Sequence, residues 1–427
     1  MQSLTANFNK SFIAVTVMNL LASKKNSYII VLVAALGYFV DIYDLILFGI
    51  VKNPSLTELG IISKEALFNQ GNFLLSVQMA GMLLGGIVWG VMGDKRGRLS
   101  TLFFTILIYS LANIANGFVQ NVEQYAVLRF ISGFGLAGEL GVGITLVSEV
   151  MSKEKRGLAA GFVSGIGIAG SALAFLVAEK FQWRVAYYTG GGLGLLLLCL
   201  RIAVSESGMY EKVKDAAVQK GNFLSLFTQM KRFKKLSLAI IIAIPTWYTV
   251  SVLVINAPSF AQDALHITGV IKGSTSVMLH YMGAAIGSLL FGYISLKLQS
   301  RKKAIGIAIG SMALFTALYF ALFNATPTMF YTVVFVLGIP MGGLWSVFVT
   351  MASELFGTNL RSTVTTSAPN FVRGATILIT LMLAFFSSLT GLWLSGVLVG
   401  VIFFAVAFIA LFFIDETYNK DLDYLEE

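Results

Sequence analysis

Long apolar runs alternate with short polar loops along most of the chain. Each run contains about 20 residues, the length that crosses a bilayer as an α-helix. The runs are continuous and do not alternate from residue to residue, which favours helices over the strands of a membrane β-barrel. The pattern predicts an all-α integral membrane protein with twelve transmembrane helices, at approximate limits 28–51, 69–92, 99–119, 122–148, 157–178, 184–203, 236–258, 272–297, 302–323, 327–351, 361–387 and 391–414.

The polar segments divide the chain into two bodies. Residues 28–203 and 236–414 are predicted to form two six-helix bundles, separated by the linker 204–235 and followed by a cytoplasmic tail, 415–427. Residues 1–27 carry Lys24 and Lys25 after a modest apolar run, whereas a signal peptide carries its positive charge before the apolar run. We therefore interpret them as a cytoplasmic or interfacial lead-in.

The linker contains a candidate amphipathic helix. Phe223, Leu226, Phe227 and Met230 fall on one helical face, and four cations follow within 231–235. This arrangement is typical of a short helix that lies on the inner leaflet of the membrane.

Two parts of the chain repeat at a distance of 205 positions, which indicates a duplicated body. The matching residues are Gly133 and Gly338, Gly138 and Gly343, Thr145 and Thr350, Ser148-Glu149 and Ser353-Glu354, and Arg156 and Arg361. Two charges of the first copy, Arg129 and Glu139, have apolar counterparts in Val334 and Leu344. One half therefore carries chemistry that the other half lacks.

The composition agrees with a membrane protein. The 427 residues are 57% hydrophobic and 12% charged, more apolar surface than one soluble core can hide. One cysteine excludes a disulfide framework and a cysteine zinc site, and two widely separated histidines argue against a histidine-rich metal site. The nucleophile, metal cluster or acid–base set of a membrane enzyme does not appear among these residues. The chain is accordingly predicted to be no enzyme, with no catalytic residue, metal or cofactor.

The net charge of +9 has a topological explanation. If the N-terminus is inside, inner loops and tails hold 23 of the 30 cations and outer loops hold five. This asymmetry predicts that both termini are cytoplasmic, and it explains the basic balance without a nucleic-acid partner.

The loop after the second span carries a recognisable motif. It contains Gly90, Asp94, Arg96, Gly97 and Arg98. The pattern G-x-x-x-D-[RK]-x-G-R between the second and third of twelve spans resembles the signature of the major facilitator superfamily. The fourth-span pattern, the S-E...R repeats and the central loop extend the resemblance over nearly the whole chain. The loop of the second half, 292–303, retains cations but has no Asp, which leaves its gate open to question.

The resemblance implies two bundles related by a pseudo-two-fold axis, a midplane site between them, and alternating access. It also implies a cytoplasmic gate that holds the outward-open state. In that gate Asp94 and its basic neighbours would act together with Glu149/Arg156 and Glu354/Arg361. These residues are not expected to touch the substrate.

Ionisable groups within spans are the candidates for proton coupling, because a charge in hydrocarbon costs several kcal/mol unless it is paired or hydrated. Asp41 and Asp44 lie three residues apart, hence on one helical face. Asp44 and Arg129 lie at similar depth, roughly 10 Å below the outer surface by helical rise. Their surroundings are similar to those of proton-coupled sugar and metabolite symporters, in which an Asp–Arg pair couples proton and substrate. A purely structural ion pair is the alternative, and Asp41 is either a second proton carrier or a hydrated cavity residue.

Glu139 lies deeper in the fourth span, among glycines. The segment Gly138-Glu139-Leu140-Gly141 resembles a run of metabolite–proton symporters, although Ala137 replaces its first glycine. A proton exit relay and a glycine-packed structural carboxylate both fit this pattern.

Arg373 is the candidate for substrate binding. It lies about 12 residues into the eleventh span, near the midplane by helical rise, and its counterpart in the first half is Ile168. A central cation suits a carboxylate or phosphate, and pairing with Asp41 is the alternative. Other polar residues expected to face the cavity, each also compatible with packing or a helix–helix hydrogen bond, are Asn370, Gln78, Tyr248, Trp247, Asn256, His280, Tyr281 and Trp345.

These patterns predict a secondary active transporter in the metabolite and organic-acid branches, with sugar porters also similar. The expected activity is proton-coupled symport of a small anionic or zwitterionic metabolite across a bacterial inner (plasma) membrane. A sugar, polyol or neutral-metabolite transporter, a uniporter and an exporter are the alternatives, ahead of a membrane protein without transport activity. The expected partners are the small-molecule substrate, protons and the lipid bilayer, with no nucleic acid and a functional monomer.

Overall fold

The computed structural model describes residues 2–152, 155–201 and 221–426. For residues 2–29, 64–65, 68–69, 72 and 200–201, it describes the helical backbone alone. All regular secondary structure in these described ranges is helical. The twelve long helices there are α1 Gln2–Glu58, α2 Lys64–Arg96, α3 Arg98–Asn116, α4 Val122–Val150, α5 Arg156–Lys180, α6 Trp183–Arg201, α7 Met230–Val254, α8 Gly273–Lys297, α9 Arg301–Phe320, α10 Pro327–Leu355, α11 Arg361–Thr390 and α12 Leu392–Phe413.

The helices correspond one to one to the predicted spans. Within the described residues, all except α6 are long and apolar enough to cross a membrane. Helix α6 ends at Arg201, where a described range of the chain also ends. Large apolar side chains such as Phe104, Leu196 and Phe412 are exposed on the outer surface. Apolar surface of this extent needs a lipid environment.

The helices extend beyond the limits that hydropathy sets. Helix α1 begins at Gln2, so it includes most of the predicted lead-in 1–27, and it continues past residue 51 to Glu58. Helix α2 begins at Lys64 after the cap Ser63, whose side chain accepts a hydrogen bond from the backbone N–H of Ala66. Polar residues continue a helix as readily as apolar ones where backbone hydrogen bonds and caps are available.

The linker differs from the prediction. Residues 202–220, the first part of the predicted segment 204–235, lie outside the described residues. The predicted amphipathic helix is one turn, Ser225–Thr228, followed by a break at Gln229. Leu226 is buried in the core, whereas Met230 already belongs to α7 and is exposed. The expected apolar face is therefore divided between two helices.

Helices α1–α6 and α7–α12 meet through two equivalent pairs. Helix α2 packs along α11, and α8 packs along α5. In the internal repeat, α2 corresponds to α8 and α5 to α11, so the same contact is made twice. The approach is close at Gly90, where an added Cβ would lie 2.9 Å from the Cα of Thr363. Glycine at this position thus allows the two halves to touch.

Two helices are irregular beside the same cavity. Helix α5 is interrupted at Ala169, and α7 widens into π-helical turns over Thr249–Val254. Ile168 and Val250, at these irregular places, both line one central cavity. Irregular backbone at membrane depth is tolerated where it is buried in protein or lines a cavity, and π-turns are frequent at functional sites.

Candidate functional site

A small closed cavity lies between the two halves. Its walls come from α1 and α5 on one side and from α7, α8, α10 and α11 on the other. The centre of a water molecule can occupy about 20 Å³ of it, which is room for about one or two waters. A metabolite therefore enters this space only if the halves move apart.

Several residues predicted to bind substrate meet in this cavity. Trp247, Tyr281, Trp345 and Arg373 all line it. Arg373 is the charged side chain among the described lining residues, and Ile168, its counterpart in the repeat, lies on the opposite wall. The two halves thus differ, by Arg373 in one and Ile168 in the other, in the wall of the cavity itself.

The Arg373 guanidinium has few partners for its five donors. It is 3% exposed. Nη1 donates to Oδ1 of Asn370 at 3.0 Å, and the guanidinium carbon lies 5.3 Å from the centre of the Trp345 ring. Nε has no hydrogen-bond partner among the described residues. Asp41 lies within electrostatic range of Arg373, so the alternative in which these two residues pair stays open beside substrate binding.

Asn370 connects the cavity to the interface. Besides accepting from Arg373, it donates through Nδ2 to the carbonyl of Ala137 in α4 at 2.9 Å and to that of Thr366 at 2.7 Å. One of these bonds crosses from α11 to the other half. Asn370 therefore orients Arg373 from a position fixed by both halves.

Four residues predicted to face the cavity lie elsewhere. Gln78 accepts a hydrogen bond from Arg129, and Tyr248 donates to the carbonyl of Gly396 at 2.7 Å. His280 lies 3.2 Å from the carbonyl of Val334, and Asn256 donates to that of Ser251 at 2.8 Å. The sequence does not give the direction of these side chains, and each one bonds a neighbouring helix or its own turn.

Asp44 and Arg129 are buried near each other but do not form the expected ion pair. Asp44 is 2% exposed and Arg129 is fully buried. Arg129 and Asn113 lie beside Asp44, yet among the described residues neither carboxylate oxygen makes a hydrogen bond of good geometry. Arg129 instead donates to Gln78, and its guanidinium carbon lies 4.8 Å from the Phe48 ring centre. A cation–π contact here replaces part of the lost hydration.

Glu139 is also buried, at 2% exposure in the middle of α4. The adjacent glycines allow other helices to come close: an added Cβ at Gly141 would overlap the backbone of Thr366 in α11. Residues two apart on a helix point to different sides, so this contact of Gly141 does not fix the surroundings of Glu139, and both interpretations of its role remain predictions.

The predicted gate residues come together at one end of the bundle, formed by 94–98, 149–152, 155–156, 301–303 and 354–361, which we name the basic end. Asp94 of α2 accepts hydrogen bonds from the backbone N–H groups of Ser362 and Thr363, at 3.1 and 2.8 Å, and from the Thr363 hydroxyl at 2.7 Å. These groups form the first turn of α11, where backbone donors lack helical partners and favour an anion. One half therefore caps a helix of the other.

Buried ion pairs connect the halves at the basic end. Oε1 of Glu149 accepts from Arg98 at 2.9 Å and from Arg361 at 3.1 Å. The pairing differs from the expected Glu149/Arg156 and Glu354/Arg361 sets. Arg156 donates to the carbonyl of Ser148 at 2.8 Å, and Glu354 accepts from Arg301 at 2.9 Å. Arg361 pairs with Glu149 of the first half, and Arg156 lies within electrostatic range of Glu354 of the second half.

The remaining motif residues shape the turn. Gly97 has a φ of 102°, a conformation that side chains rarely adopt, and it separates α2 from α3. Arg98 starts α3 and also donates to the carbonyl of Thr358 in the other half at 3.2 Å. Arg96 is exposed, so it lies outside the buried network.

The C-terminal segment packs over the basic end. Arg361 donates to the carbonyl of Leu422 at 2.6 Å, and Arg156 donates to that of Lys420 at 3.2 Å. Thr417 donates to Glu354 at 2.7 Å. The second half lacks the counterpart of Asp94, and Glu416 of this segment accepts from the backbone N–H of Arg301 at 2.8 Å, at the start of α9.

Sequence reasoning missed some of these groups. Tyr38 is not among the predicted site residues, although it lies on the same helical face as Asp41 and Leu45 and lines the cavity. That spacing could have identified it. No sequence signal connected Glu416 with Arg301, because their proximity depends on the fold.

The chain belongs to a known family of membrane carriers. A sequence model of the Major Facilitator Superfamily matches residues 29–368. That match covers well over half of the chain, so the protein is a member of the Major Facilitator Superfamily and is a multi-pass membrane transporter, not an enzyme.

Relatives with similar sequences are named as transporters of several metabolites. The chain is 27% identical over 337 residues to a probable 4-methylmuconolactone transporter of Cupriavidus pinatubonensis, covering 77% of this chain and 76% of the relative. It is 28% identical over 298 residues to the sialic acid transporter NanX of Escherichia coli, covering 67% and 69%.

A solved structure shares the fold. The proton:xylose symporter XylE, bound to 6-bromo-6-deoxy-D-glucose, aligns with a TM-score of 0.71 and 16% identity over 94% of this chain and 98% of XylE. The predicted all-α architecture with two six-helix bundles is thereby confirmed.

Proposed function

We propose that this transporter carries a small anionic or zwitterionic metabolite of the organic-acid class together with protons, by alternating access. Arg373 is the observation that supports the substrate class. It is a buried cation in the wall of the central cavity, and its Nε has no partner within the described residues. Burying a guanidinium with unused donors is costly, and its planar fork matches a carboxylate.

The rest of the cavity supports an organic anion. Tyr38, Trp247, Tyr281 and Trp345 provide aromatic walls around Arg373. Ligand sites of this kind bury an apolar body against such walls and use a few polar groups for orientation. The similarity to a transporter of sialic acid is consistent with this class.

Proton coupling is assigned to the buried acids. Asp44 is the principal carrier in this proposal, because a charged carboxylate buried without good hydrogen-bond donors has a desolvation cost that a proton removes. Arg129 would act on it electrostatically. Asp41 beside Arg373 and the buried Glu139 of α4 provide further protonation positions in this proposal.

The basic end is the cytoplasmic end in this proposal, in accordance with the distribution of Lys and Arg. The membrane would be a bacterial inner membrane, and one chain forms a complete carrier. The ion pairs of Glu149 and the cap by Asp94 then describe a cytoplasmic gate in its closed state.

A thermal-shift screen tests the substrate class. Purified protein is heated with small carboxylates, amino acids, sugars and phosphates, since a ligand that binds the folded state raises the unfolding midpoint. Carboxylates are expected to give the largest rise. If sugars alone raise the midpoint, the organic-acid assignment is wrong and the neutral-substrate alternative replaces it.

Proton movement is tested in energised membrane vesicles. Addition of the carboxylate with the largest thermal shift is expected to alkalinise the medium, and Asp44→Asn is expected to abolish this signal. Asp263→Asn, at an exposed acid in the segment after α7, provides the control and should behave as the unmodified protein. Undiminished alkalinisation in Asp44→Asn would exclude Asp44 from the coupling step.

A further inference from the structure

Tyr38 connects the two halves at the centre of the cavity. Its side chain extends from α1 and is 2% exposed. The hydroxyl accepts a hydrogen bond of 3.0 Å from Nε1 of Trp345 in α10, and the Arg373 guanidinium of α11 lies beside the same hydroxyl. All three side chains line the cavity.

The side chains of Tyr38, Trp345 and Arg373 differ in whether they can accept a hydrogen bond. Indole Nε1 and a guanidinium can only donate hydrogen bonds, whereas a phenol oxygen can accept them. A solute carboxylate in this cavity would meet the same two donors. The Tyr38 oxygen therefore occupies the kind of position that a substrate oxygen would take.

The ring of Tyr38 is held in place by its own half. An added Cβ at Gly167 of α5 would overlap this ring, so the absence of a side chain there leaves room for the aromatic group. The hydroxyl is consequently presented to α10 and α11 by the opposite half, and the hydrogen bond to Trp345 exists only while the halves are together.

We propose that Tyr38 stands in for the solute in the empty carrier: its hydroxyl accepts from Trp345 and faces Arg373, so that the halves close without a substrate. This inference rests on the proposed transport of an anion. It adds the residue that allows the carrier to change conformation without a bound substrate. Without that acceptor, closure buries the Trp345 N–H with no hydrogen-bond partner, which costs the desolvation free energy of that group.

Tyr38→Phe tests the role of the hydroxyl separately from the role of the ring. The variant keeps the packing against Gly167 and loses the acceptor. Loss of one partner of a buried hydrogen bond is expected to reduce the ratio of closed to open empty carriers on the order of tenfold. Trp345→Phe removes the donor of the same bond, so the double variant should change the ratio no more than the stronger single variant.

Cysteine labelling measures the closed fraction without any solute. The exposed Cys199 is replaced by Ser, and Met341→Cys places a reporter in the cavity wall. The full-length protein in lipid nanodiscs is treated with a charged maleimide, which reaches the reporter only in open carriers. Tyr38→Phe is expected to raise the labelling rate on the order of tenfold.

Tyr319→Phe is the matched control. Tyr319 is also fully buried, and its hydroxyl donates to the carbonyl of Leu253 at 3.0 Å within the second half. Its labelling rate should equal that of the background protein. An unchanged rate in Tyr38→Phe, or an equal rise in both variants, overturns the proposal. Because no solute is present, this result is independent of whether a carboxylate binds in the thermal screen, which decides the proposed function.

Discussion

Buried charges at the basic end and at the centre of the molecule differ in their partners, although both sets are hidden from solvent. Glu149 accepts from two arginines, and Asp94 accepts from a helix N-terminus. Among the described residues, Asp44 has no hydrogen bond of good geometry and Arg373 leaves Nε unused. Paired charges can stabilise one closed state, whereas incompletely paired ones remain available to a proton or a solute.

The charges at the basic end are repeated in the two halves of the chain, whereas Arg373 at the centre is not. Glu149 and Arg156 at the basic end recur as Glu354 and Arg361, whereas Arg373 at the centre has Ile168 as its counterpart. Both halves must close, so the closing contacts are needed twice. In the proposed mechanism a single anion needs only one cationic clamp, which agrees with the single occurrence of Arg373 in the repeat.

The largest expected effect concerns the paired buried charges of the basic end. Glu149→Gln removes the carboxylate shared by Arg98 and Arg361 and leaves two buried cations without it. Breaking a buried pair costs about 3–5 kcal/mol, so the thermal unfolding midpoint should fall markedly. Glu58→Gln, which breaks a partly exposed pair with Arg184, is the control and should cost no more than about 1 kcal/mol. Equal losses in both variants would contradict a structural role for the buried network.

The same chemical change at the centre should have the opposite sign. Asp44→Asn replaces a carboxylate that lacks good donors with an uncharged amide of similar shape. The unfolding midpoint is expected to stay unchanged or to rise, by a free energy of up to about 3 kcal/mol. A fall as large as that of Glu149→Gln would mean that Asp44 is a structural charge.

The smallest effect concerns the C-terminal segment. Burial alone would raise the pKa of Glu416, but hydrogen bonds from Ser300 and from the backbone N–H groups of Tyr418, Arg301 and Thr417 lower it below the ordinary value of 4.5. Glu416 therefore stabilises the fold above pH 4.5, and this contribution is lost as the pH falls through its lowered pKa.

Glu416→Gln is accordingly expected to lower stability by about 0.5–1 kcal/mol near neutral pH, a small amount because the residue is exposed. The difference from the unmodified protein should shrink in acid. Asp415→Asn, at the preceding exposed residue, is the control. A difference that grows as the pH is lowered would contradict the role of Glu416 as a helix cap.

Much of the fold could be predicted because hydropathy and helix length are local properties of the sequence. The same rise per residue predicted Arg373 near the midplane, and the repeat identified Ile168 as its counterpart in the first half. These predictions needed only position along a helix and the equivalence of the halves.

The partners of the buried groups could not be predicted, because they come from other helices and depend on helix rotation. Gln78 was expected to face the cavity yet bonds Arg129, and Tyr248 points into its own half. The contacts of Asp94 with Ser362 and Thr363 also join residues far apart in sequence. Such pairs follow from packing, which a single sequence does not determine.

The most direct test compares two buried arginines in the ligand-dependent thermal shift. Arg361→Gln, at the basic end, should lower the ligand-free unfolding midpoint but keep the rise caused by the carboxylate that ranks first in the screen. Arg373→Gln, at the centre, should leave the ligand-free midpoint close to that of the unmodified protein and lose the rise. A carboxylate-dependent rise that persists in Arg373→Gln would contradict the claim that the central cation is held for a passing anion.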